Sequence, residues 1–357
     1  MRHDHGGNFR ALALATGAPA DQILDFSASI NPLGLPPRAE AALRGAIPRV
    51  VHYPDPEATE LQSALAGYLG LSPASVLVGN GSTELIYLMA RALRPGRALI
   101  LHPAFSEYEA ALELAGARIE RALLSPEDGF VLRPSLIRSR LAEQDLVVLA
   151  NPGNPTGSLI PADDLLRLLG ACHEAGVTLV VDEAFIDFVE EASLKSHLDR
   201  FPRLLLLRSM TKFFALAGLR VGYGLASADL LARLLPWKEP WSVNGLAQAA
   251  GLAALDDREY REASGLLVPR WREALATGLQ KFEALRVFPG AANFLLVESL
   301  NESWSAPALG TALLKEGIAI RDCSSFPGLG PRFFRVAVRR PEENQTLLRA
   351  LWALLGS

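Results

Sequence analysis

A lysine at position 212 stands between an apolar run and a turn, with residues able to bind an anion close to it. The four leucines at 204–207 are typical of a buried strand, and Ser209 and Arg220 lie three positions before and eight positions after Lys212. A desolvated lysine loses its proton more readily, and a neutral amine is the nucleophile that forms Schiff bases with aldehydes. Because most lysines are exposed, the alternative is a lysine on a surface loop.

A second feature is the polar turn Gly-Asn-Gly-Ser-Thr at 79–83, between a strand pattern and a helix pattern. Backbone amides and the positive end of the helix dipole can bind a phosphate at such a junction. The turn has neither the spacing of a nucleotide P-loop nor that of a dinucleotide fold, and alone it is equally typical of an ordinary turn. Ser209 and Arg220 add a hydroxyl donor and a permanent cation. Together these residues predict a phosphate site beside Lys212.

Asp182 ends another apolar strand pattern. A carboxylate in that position is costly without a cationic partner, and a protonated pyridine nitrogen is such a partner. The alternative is that Asp182 or Glu183 caps a helix. The phosphate site and Lys212 favour the first interpretation.

The elements that carry these residues alternate between strand and helix from residue 76 to about 226. This alternation predicts a mostly parallel sheet covered by helices, with the polar turns converging beyond the carboxyl ends of the strands. Two long helical patterns follow, at 243–255 and 258–285, the second interrupted by Pro269, and then a smaller α+β lobe. The predicted strands are 76–78, 98–101, 146–150, 177–181, 204–207, 221–225, 293–297, 319–321 and 333–338.

Length and composition exclude several classes of protein. A chain of 357 residues predicts two lobes, and a net charge of −4 with scattered arginines argues against a nucleic-acid partner. Two cysteines are too few for a thiolate metal cluster or a disulfide framework, so we expect no metal and a cytoplasmic location. No run approaches the ~18 apolar residues of a membrane span.

In the same order, these motifs resemble the fold-type I pyridoxal-phosphate enzymes, specifically the aminotransferase class that includes histidinol-phosphate aminotransferase. The resemblance covers nearly the whole chain. It implies an α/β fold with a mostly parallel seven-stranded sheet in a large domain and a smaller α+β domain. The implied division is an N-terminal arm at 1–50 that packs with the small domain, a large cofactor-binding domain at 51–255 and the small domain at 256–357.

The resemblance also implies roles for individual residues around pyridoxal 5'-phosphate. Lys212 would form the Schiff base and Asp182 would hold the proton of the pyridine ring. Phe105 would stack on that ring, and Asn154 would bind its phenolic oxygen. Tyr53 would reach the phosphate from the neighbouring subunit, which implies a homodimer. The implied phosphate-binding residues are Gly81, Ser82, Thr83, Ser209 and Arg220.

One position departs from the aminotransferase pattern, because Phe185 stands where these enzymes usually carry tyrosine. Phenylalanine cannot donate a hydrogen bond to the phenolic oxygen of the cofactor. Together with the His-Gly-Gly-Asn arm at 5–8, Phe185 makes the chain similar to the branch of the family that decarboxylates L-threonine O-3-phosphate for the aminopropanol arm of cobalamin. The substrate-binding residues that this branch implies are His5, Asn31, Arg321 and Arg335.

The reaction itself stays open at this point. Pyridoxal phosphate labilises whichever bond to the substrate Cα stands perpendicular to its ring, so the position of the substrate carboxylate decides the outcome. One alternative is an aminotransferase that acts on histidinol phosphate or an aromatic amino acid with 2-oxoglutarate. Another is a non-catalytic protein that binds the cofactor or has a regulatory role.

Overall fold

The computed structural model describes residues 6–17, 19 and 22–356. Its strands are Leu24–Asp25 (β1), Val76–Gly79 (β2), Arg97–His102 (β3), Arg118–Leu123 (β4), Leu146–Ala150 (β5), Thr178–Asp182 (β6), Leu204–Ser209 (β7), Gly222–Ala226 (β8), Leu285–Val287 (β9), Phe294–Ser299 (β10), Ile318–Ala319 (β11), Arg321–Asp322 (β12) and Phe333–Ala337 (β13). Its α-helices are Phe9–Thr16 (α1), Pro37–Ala46 (α2), Thr59–Leu69 (α3), Gly81–Leu93 (α4), Glu107–Leu114 (α5), Pro134–Arg138 (α6), Ala162–Glu174 (α7), Ala228–Leu234 (α8), Gly245–Asp256 (α9), Arg258–Leu279 (α10), Ala306–Lys315 (α11) and Pro341–Leu355 (α12).

A seven-stranded sheet in the order β2-β8-β7-β6-β5-β3-β4 forms the centre of the large lobe. β8 runs antiparallel to β2 and β7, and the other pairings are parallel. The fold class predicted from the sequence is confirmed. All six residues of β7 are buried, which explains its continuous apolar run. Leu204 and Leu206 pack into the apolar cluster on one face of the sheet, and Leu205 and Leu207 into the cluster on the other.

The strand β4 is absent from the sequence-based strands. It lies at the edge of the sheet, and most of its residues are exposed or half-buried. Arginine and glutamate therefore interrupt its apolar pattern, so periodicity alone does not reveal it.

A second, antiparallel sheet in the order β12-β13-β10-β9 forms the core of the small lobe. The N-terminal strand β1 pairs in parallel with β11, with Leu24 opposite Ile318, so the arm contacts this lobe. The helix α10 runs without a break through Pro269, against the predicted interruption, and ends at Leu279. A proline removes one hydrogen bond of the helix ladder, and the buried side chains of this helix compensate for that loss.

The helices of the described ranges include none that is both long enough and apolar enough to cross a membrane.

Candidate active site

The carboxyl ends of the central strands open into a cavity of about 450 Å³. Side chains from the large lobe, the small lobe and the N-terminal arm line it. The structure brings together most of the residues that the sequence predicted for the site. Those that line the cavity are Ser82, Thr83, Phe105, Asn154, Asp182, Ser209, Lys212, Arg220, Arg321 and Arg335.

Lys212 lies on the turn that follows β7. Its backbone carbonyl accepts hydrogen bonds from the amides of Asn31 (3.0 Å) and Ala215 (3.2 Å), which fixes the turn. Burial lowers the pKa of the Lys212 ammonium to about 8, and the positive charges of Arg335 and Arg220 act in the same direction. The amine is therefore far more often neutral than a lysine in water, as attack on an aldehyde requires.

Asp182 is the last residue of β6, and both of its carboxylate oxygens accept hydrogen bonds. The amide of Ala184 donates to Oδ1 (2.9 Å), and the hydroxyl of Tyr108 donates to Oδ2 (2.5 Å). Burial raises the pKa of Asp182, while the two hydrogen bonds and the charge of Lys212 oppose that change. A charged partner in the cavity would compensate for the desolvation of this carboxylate.

Tyr108 was not predicted from the sequence. It lies in the first turn of α5, three positions after Phe105, and the two rings contact each other at 5.8 Å between centroids. This spacing of aromatic residues was the available signal. Nothing in the local pattern points to Asp182, which lies 74 positions further along the chain.

A cradle for an anion lies where α4 begins. Gly81 has a φ of +74°, and a Cβ there would stand 2.9 Å from a terminal nitrogen of Arg220. A Cβ on Gly222 would stand 2.6 Å from the backbone nitrogen of Ser82, so the close approach of β8 to this turn requires glycine. The Ser209 hydroxyl lies nearby on the cavity wall, within 2.6 Å of the Thr211 hydroxyl. Amides, hydroxyls and a guanidinium of this kind suit a phosphate.

These residues fit pyridoxal 5'-phosphate. The cradle matches the phosphate, Lys212 matches the aldehyde, and Asp182 matches a protonated ring nitrogen. Phe105 provides an aromatic surface on the same cavity. The fit rests on four separate features of the cavity.

Arg335 is held in one orientation by the surrounding residues. One terminal nitrogen donates to Asn154 Oδ1 (2.5 Å) and the other to the carbonyl of Ser27 (3.1 Å). Its guanidinium lies over the ring of Phe294 at 4.8 Å, and that ring contacts Phe185 edge-on at 5.0 Å. The Nε atom is buried with no partner among the described residues. Because Arg335 lines the cavity, its guanidinium is suited to an anionic ligand.

Arg321 lies opposite Arg335 in the pairing of β12 with β13. Burial lowers the pKa of Arg335 to about 10, and the positive charge of Arg321 acts in the same direction. The Arg335 guanidinium therefore remains charged near neutral pH, and an anion between the two arginines would relieve their repulsion.

Two of the predicted residues, Asn31 and Tyr53, lie away from the cavity, and a third, His5, falls outside the described residues. The Asn31 side-chain amide donates to the carbonyl of Phe213 and to the Ser264 hydroxyl, both at 2.7 Å, so it ties the arm to the lysine turn, and its proposed contact with substrate stays a prediction. Tyr53 is 85% exposed and contacts Trp241, so its proposed reach into a neighbouring subunit stays a prediction. His5 lies outside the described residues, although Gly6 beside it lines the cavity.

A buried network of ion pairs lies next to the site. Arg208 precedes Ser209, Glu183 follows Asp182, and both are fully buried. The Arg208 Nε donates to Glu183 Oε2 (2.9 Å), and a terminal nitrogen donates to Glu190 (2.7 Å). Arg208 and Ser209 are neighbours at the end of β7, so their side chains point to opposite faces of the sheet. The same strand end therefore contributes one residue to the ion network and one to the cavity.

The chain is similar in sequence to one protein family and to several known proteins. Residues 21–351 match the family described as aminotransferase class I and II. Threonine-phosphate decarboxylase of Salmonella typhimurium is 39% identical over 350 residues, which cover 97% of this chain and 95% of that protein. Histidinol-phosphate aminotransferase of Methanothermobacter thermautotrophicus is 34% identical over 355 residues, which cover 98% and 94%.

One solved structure with a similar fold contains pyridoxal-5'-phosphate. Histidinol-phosphate aminotransferase from Sinorhizobium meliloti, crystallised in complex with pyridoxal-5'-phosphate, has a TM-score of 0.88 and 26% sequence identity. The match covers 98% of this chain and 94% of that one. The chain therefore belongs to the class I and II aminotransferase family and is a pyridoxal-phosphate-dependent enzyme.

Proposed function

We propose that the enzyme decarboxylates L-threonine O-3-phosphate to (R)-1-amino-2-propanol O-2-phosphate and carbon dioxide, for the aminopropanol arm of cobalamin. The observation that carries the proposal is the pair Arg321 and Arg335, which lie opposite each other and line the same cavity as Lys212. Two guanidinium groups suit a substrate that carries both a carboxylate and a phosphate. The 39% identity to the threonine-phosphate decarboxylase of Salmonella typhimurium supports the same assignment.

The chain's own residues would divide the work as follows. Arg220 and the turn at the start of α4 would hold the cofactor phosphate, and Asp182 would offer a negative charge to the ring nitrogen. When bound, pyridoxal phosphate supplies a conjugated ring that takes up the electron pair of a bond broken at the substrate Cα. Lys212, with a pKa lowered to about 8, exchanges a proton readily near neutral pH.

The fixed orientation of Arg335 would fix the position of the substrate carboxylate, and this position decides which bond at Cα can break. Its contacts with Asn154 and Ser27 prevent the guanidinium from following a mobile ligand, so the ligand must adapt to it. In the proposed reaction the bond between Cα and the substrate carboxylate breaks, and carbon dioxide leaves without its electron pair. A proton from Lys212 Nζ then completes the tetrahedral Cα. Phe185 fits this outcome, because it offers no hydroxyl to the phenolic oxygen of the cofactor.

A second candidate function is transamination of histidinol phosphate or an aromatic amino acid with 2-oxoglutarate. The 34% identity to histidinol-phosphate aminotransferase supports it, and histidinol phosphate also carries a phosphate for the arginine pair. In this reaction Lys212 would remove the Cα proton, and the amino group would be transferred to 2-oxoglutarate.

We also infer a homodimer with its active site at the interface. The rings of Tyr53 and Trp241 contact each other at 5.4 Å between centroids on the surface, and Val51, two positions before Tyr53 in the chain, is 79% exposed. An exposed apolar cluster of this kind suits a subunit contact. A cytoplasmic location is part of the proposal, and it agrees with Cys172 and Cys323, which are both free and buried.

The experiment is a comparison of two substrates on one preparation of the enzyme. Carbon dioxide and the amine product are measured with O-phospho-L-threonine, and glutamate is measured with histidinol phosphate plus 2-oxoglutarate. We expect carbon dioxide in equal amount to the amine, with no glutamate. Lys212→Ala is the control for enzyme-dependent turnover. Glutamate formation without carbon dioxide would replace the first candidate by the second.

A further inference from the structure

The phenol of Tyr108 is fully buried at the base of the cofactor cavity and makes a hydrogen bond of 2.5 Å to Asp182. Tyr108 also packs in the apolar cluster that covers one face of the sheet. Apolar packing requires only the ring, and a phenylalanine would supply the same ring. The hydroxyl therefore calls for a separate explanation, because burying it carries a desolvation cost.

The direction of this hydrogen bond follows from the charges around it. Burial and the neighbouring Asp182 raise the pKa of Tyr108 well above its ordinary value, so the phenol keeps its proton and is the donor. The hydrogen bonds from Tyr108 and from the Ala184 amide oppose the rise in the pKa of Asp182 that burial causes. With one donor on each oxygen, rotation of the carboxylate is restricted as well.

We propose that Tyr108 is a positioning residue that acts on the cofactor ring through Asp182. Its hydroxyl orients the carboxylate and favours the charged form, and a charged carboxylate is the form that holds a proton on the ring nitrogen. An uncharged Asp182 lacks the negative charge that stabilises a protonated pyridine. The proposal rests on the cofactor assignment and not on the choice of substrate, so it stands whichever amino acid the enzyme uses.

The test compares two cofactors on Tyr108→Phe. Cofactor-free enzyme is titrated with pyridoxal 5'-phosphate, and separately with an analogue in which a carbon replaces the ring nitrogen. We expect the variant to bind the natural cofactor roughly tenfold more weakly, as for a lost hydrogen bond to a charged group. Its affinity for the carbon analogue should not fall, because the analogue has no ring proton for Asp182 to hold.

The matched control is Tyr68→Phe, which alters a tyrosine outside the cavity whose ring lies under Arg261 at 5.0 Å. It should leave both dissociation constants unchanged. A purely structural role for Tyr108 predicts equal weakening for the two cofactors, and that result would overturn the proposal. So would an unchanged affinity for the natural cofactor.

Two further measurements test the route through Asp182, and the second of them remains available if Tyr108→Phe folds poorly. In an Asp182→Asn background, the removal of the Tyr108 hydroxyl should not weaken binding of the natural cofactor any further, and an additional loss would refute a route through Asp182. In the second measurement, 3-fluorotyrosine at position 108 keeps the shape of the residue and donates a stronger hydrogen bond. It should tighten binding of the natural cofactor alone, and tighter binding of both cofactors, or of neither, would contradict the inference.

Discussion

Replacing Lys212 by methionine is expected to stabilise the cofactor-free enzyme near neutral pH. Burial, aided by Arg335 and Arg220, lowers the pKa of Lys212 from 10.5 to about 8, so folding disfavours its charged form. The difference between 10.5 and 8, at about 1.36 kcal/mol per pH unit, corresponds to a penalty of about 3 kcal/mol. Methionine fills a similar volume and carries no charge, so the variant escapes the penalty.

The pH dependence of this effect follows from the protons bound in each state. Below about pH 8 the lysine is charged in both the folded and the unfolded chain, and the penalty is fully present. Between about 8 and 10.5 only the unfolded chain keeps the proton, so the stability of the wild type rises with pH relative to the variant. Above this window the advantage of Lys212→Met disappears.

The assay is urea unfolding of both cofactor-free proteins at pH 7 and at a pH just above the window. Lys281→Met, which replaces an exposed lysine, is the control and should show no comparable gain. If Lys212→Met is no more stable than the wild type at pH 7, or if its advantage does not change with pH, then Lys212 is not desolvated as described.

Three further substitutions test the substrate site, the buried ion network and the phosphate turn. Arg335→Lys should lower kcat/KM for O-phospho-L-threonine by roughly tenfold or more, because an ammonium cannot reproduce the fork of the guanidinium; unchanged kinetics would remove this residue from the substrate site. Arg208→Met should reduce the free energy of unfolding by about 3–5 kcal/mol in urea titrations, because it leaves Glu183 buried without its partner; a change close to zero would mean that water reaches the network. Gly222→Ala should weaken cofactor binding in equilibrium titrations, because its Cβ would push the phosphate turn away, whereas Gly218→Ala, with open space around it, should bind normally; equal affinities would contradict the close approach.

The central sheet was predictable because its strands are short, buried and apolar, and each ends in a polar turn. Asp182 and Ser209 could be assigned to one site for this reason, since the carboxyl ends of neighbouring parallel strands meet. The strand β4 could not be predicted in this way, because its exposure at the edge of the sheet allows charged residues. The continuity of α10 through Pro269 could not be predicted either, because packing along the helix outweighs one missing hydrogen bond.

Side-chain direction was the part that local patterns could not supply. Asn31 has the polarity of a ligand-binding residue, yet its amide bonds to residues 182 and 233 positions away. The contact between Arg335 and Asn154 spans 181 positions in the same manner. Such pairings depend on how the two lobes meet, and periodicity within a window of a few residues carries no information about that.

The pairing of β1 with β11 sets the order in which the enzyme can be completed during synthesis. The ribosome releases Leu24 long before Ile318, so the arm must wait for almost three hundred further residues before its partner strand exists. The large sheet can form in the meantime from segments that are closer together along the chain. The backbone amide of Asn31, which donates a hydrogen bond to the carbonyl of Lys212, belongs to the same arm. The arm that holds the Lys212 carbonyl therefore gains its β-sheet partner only when residues 318–319 have been made.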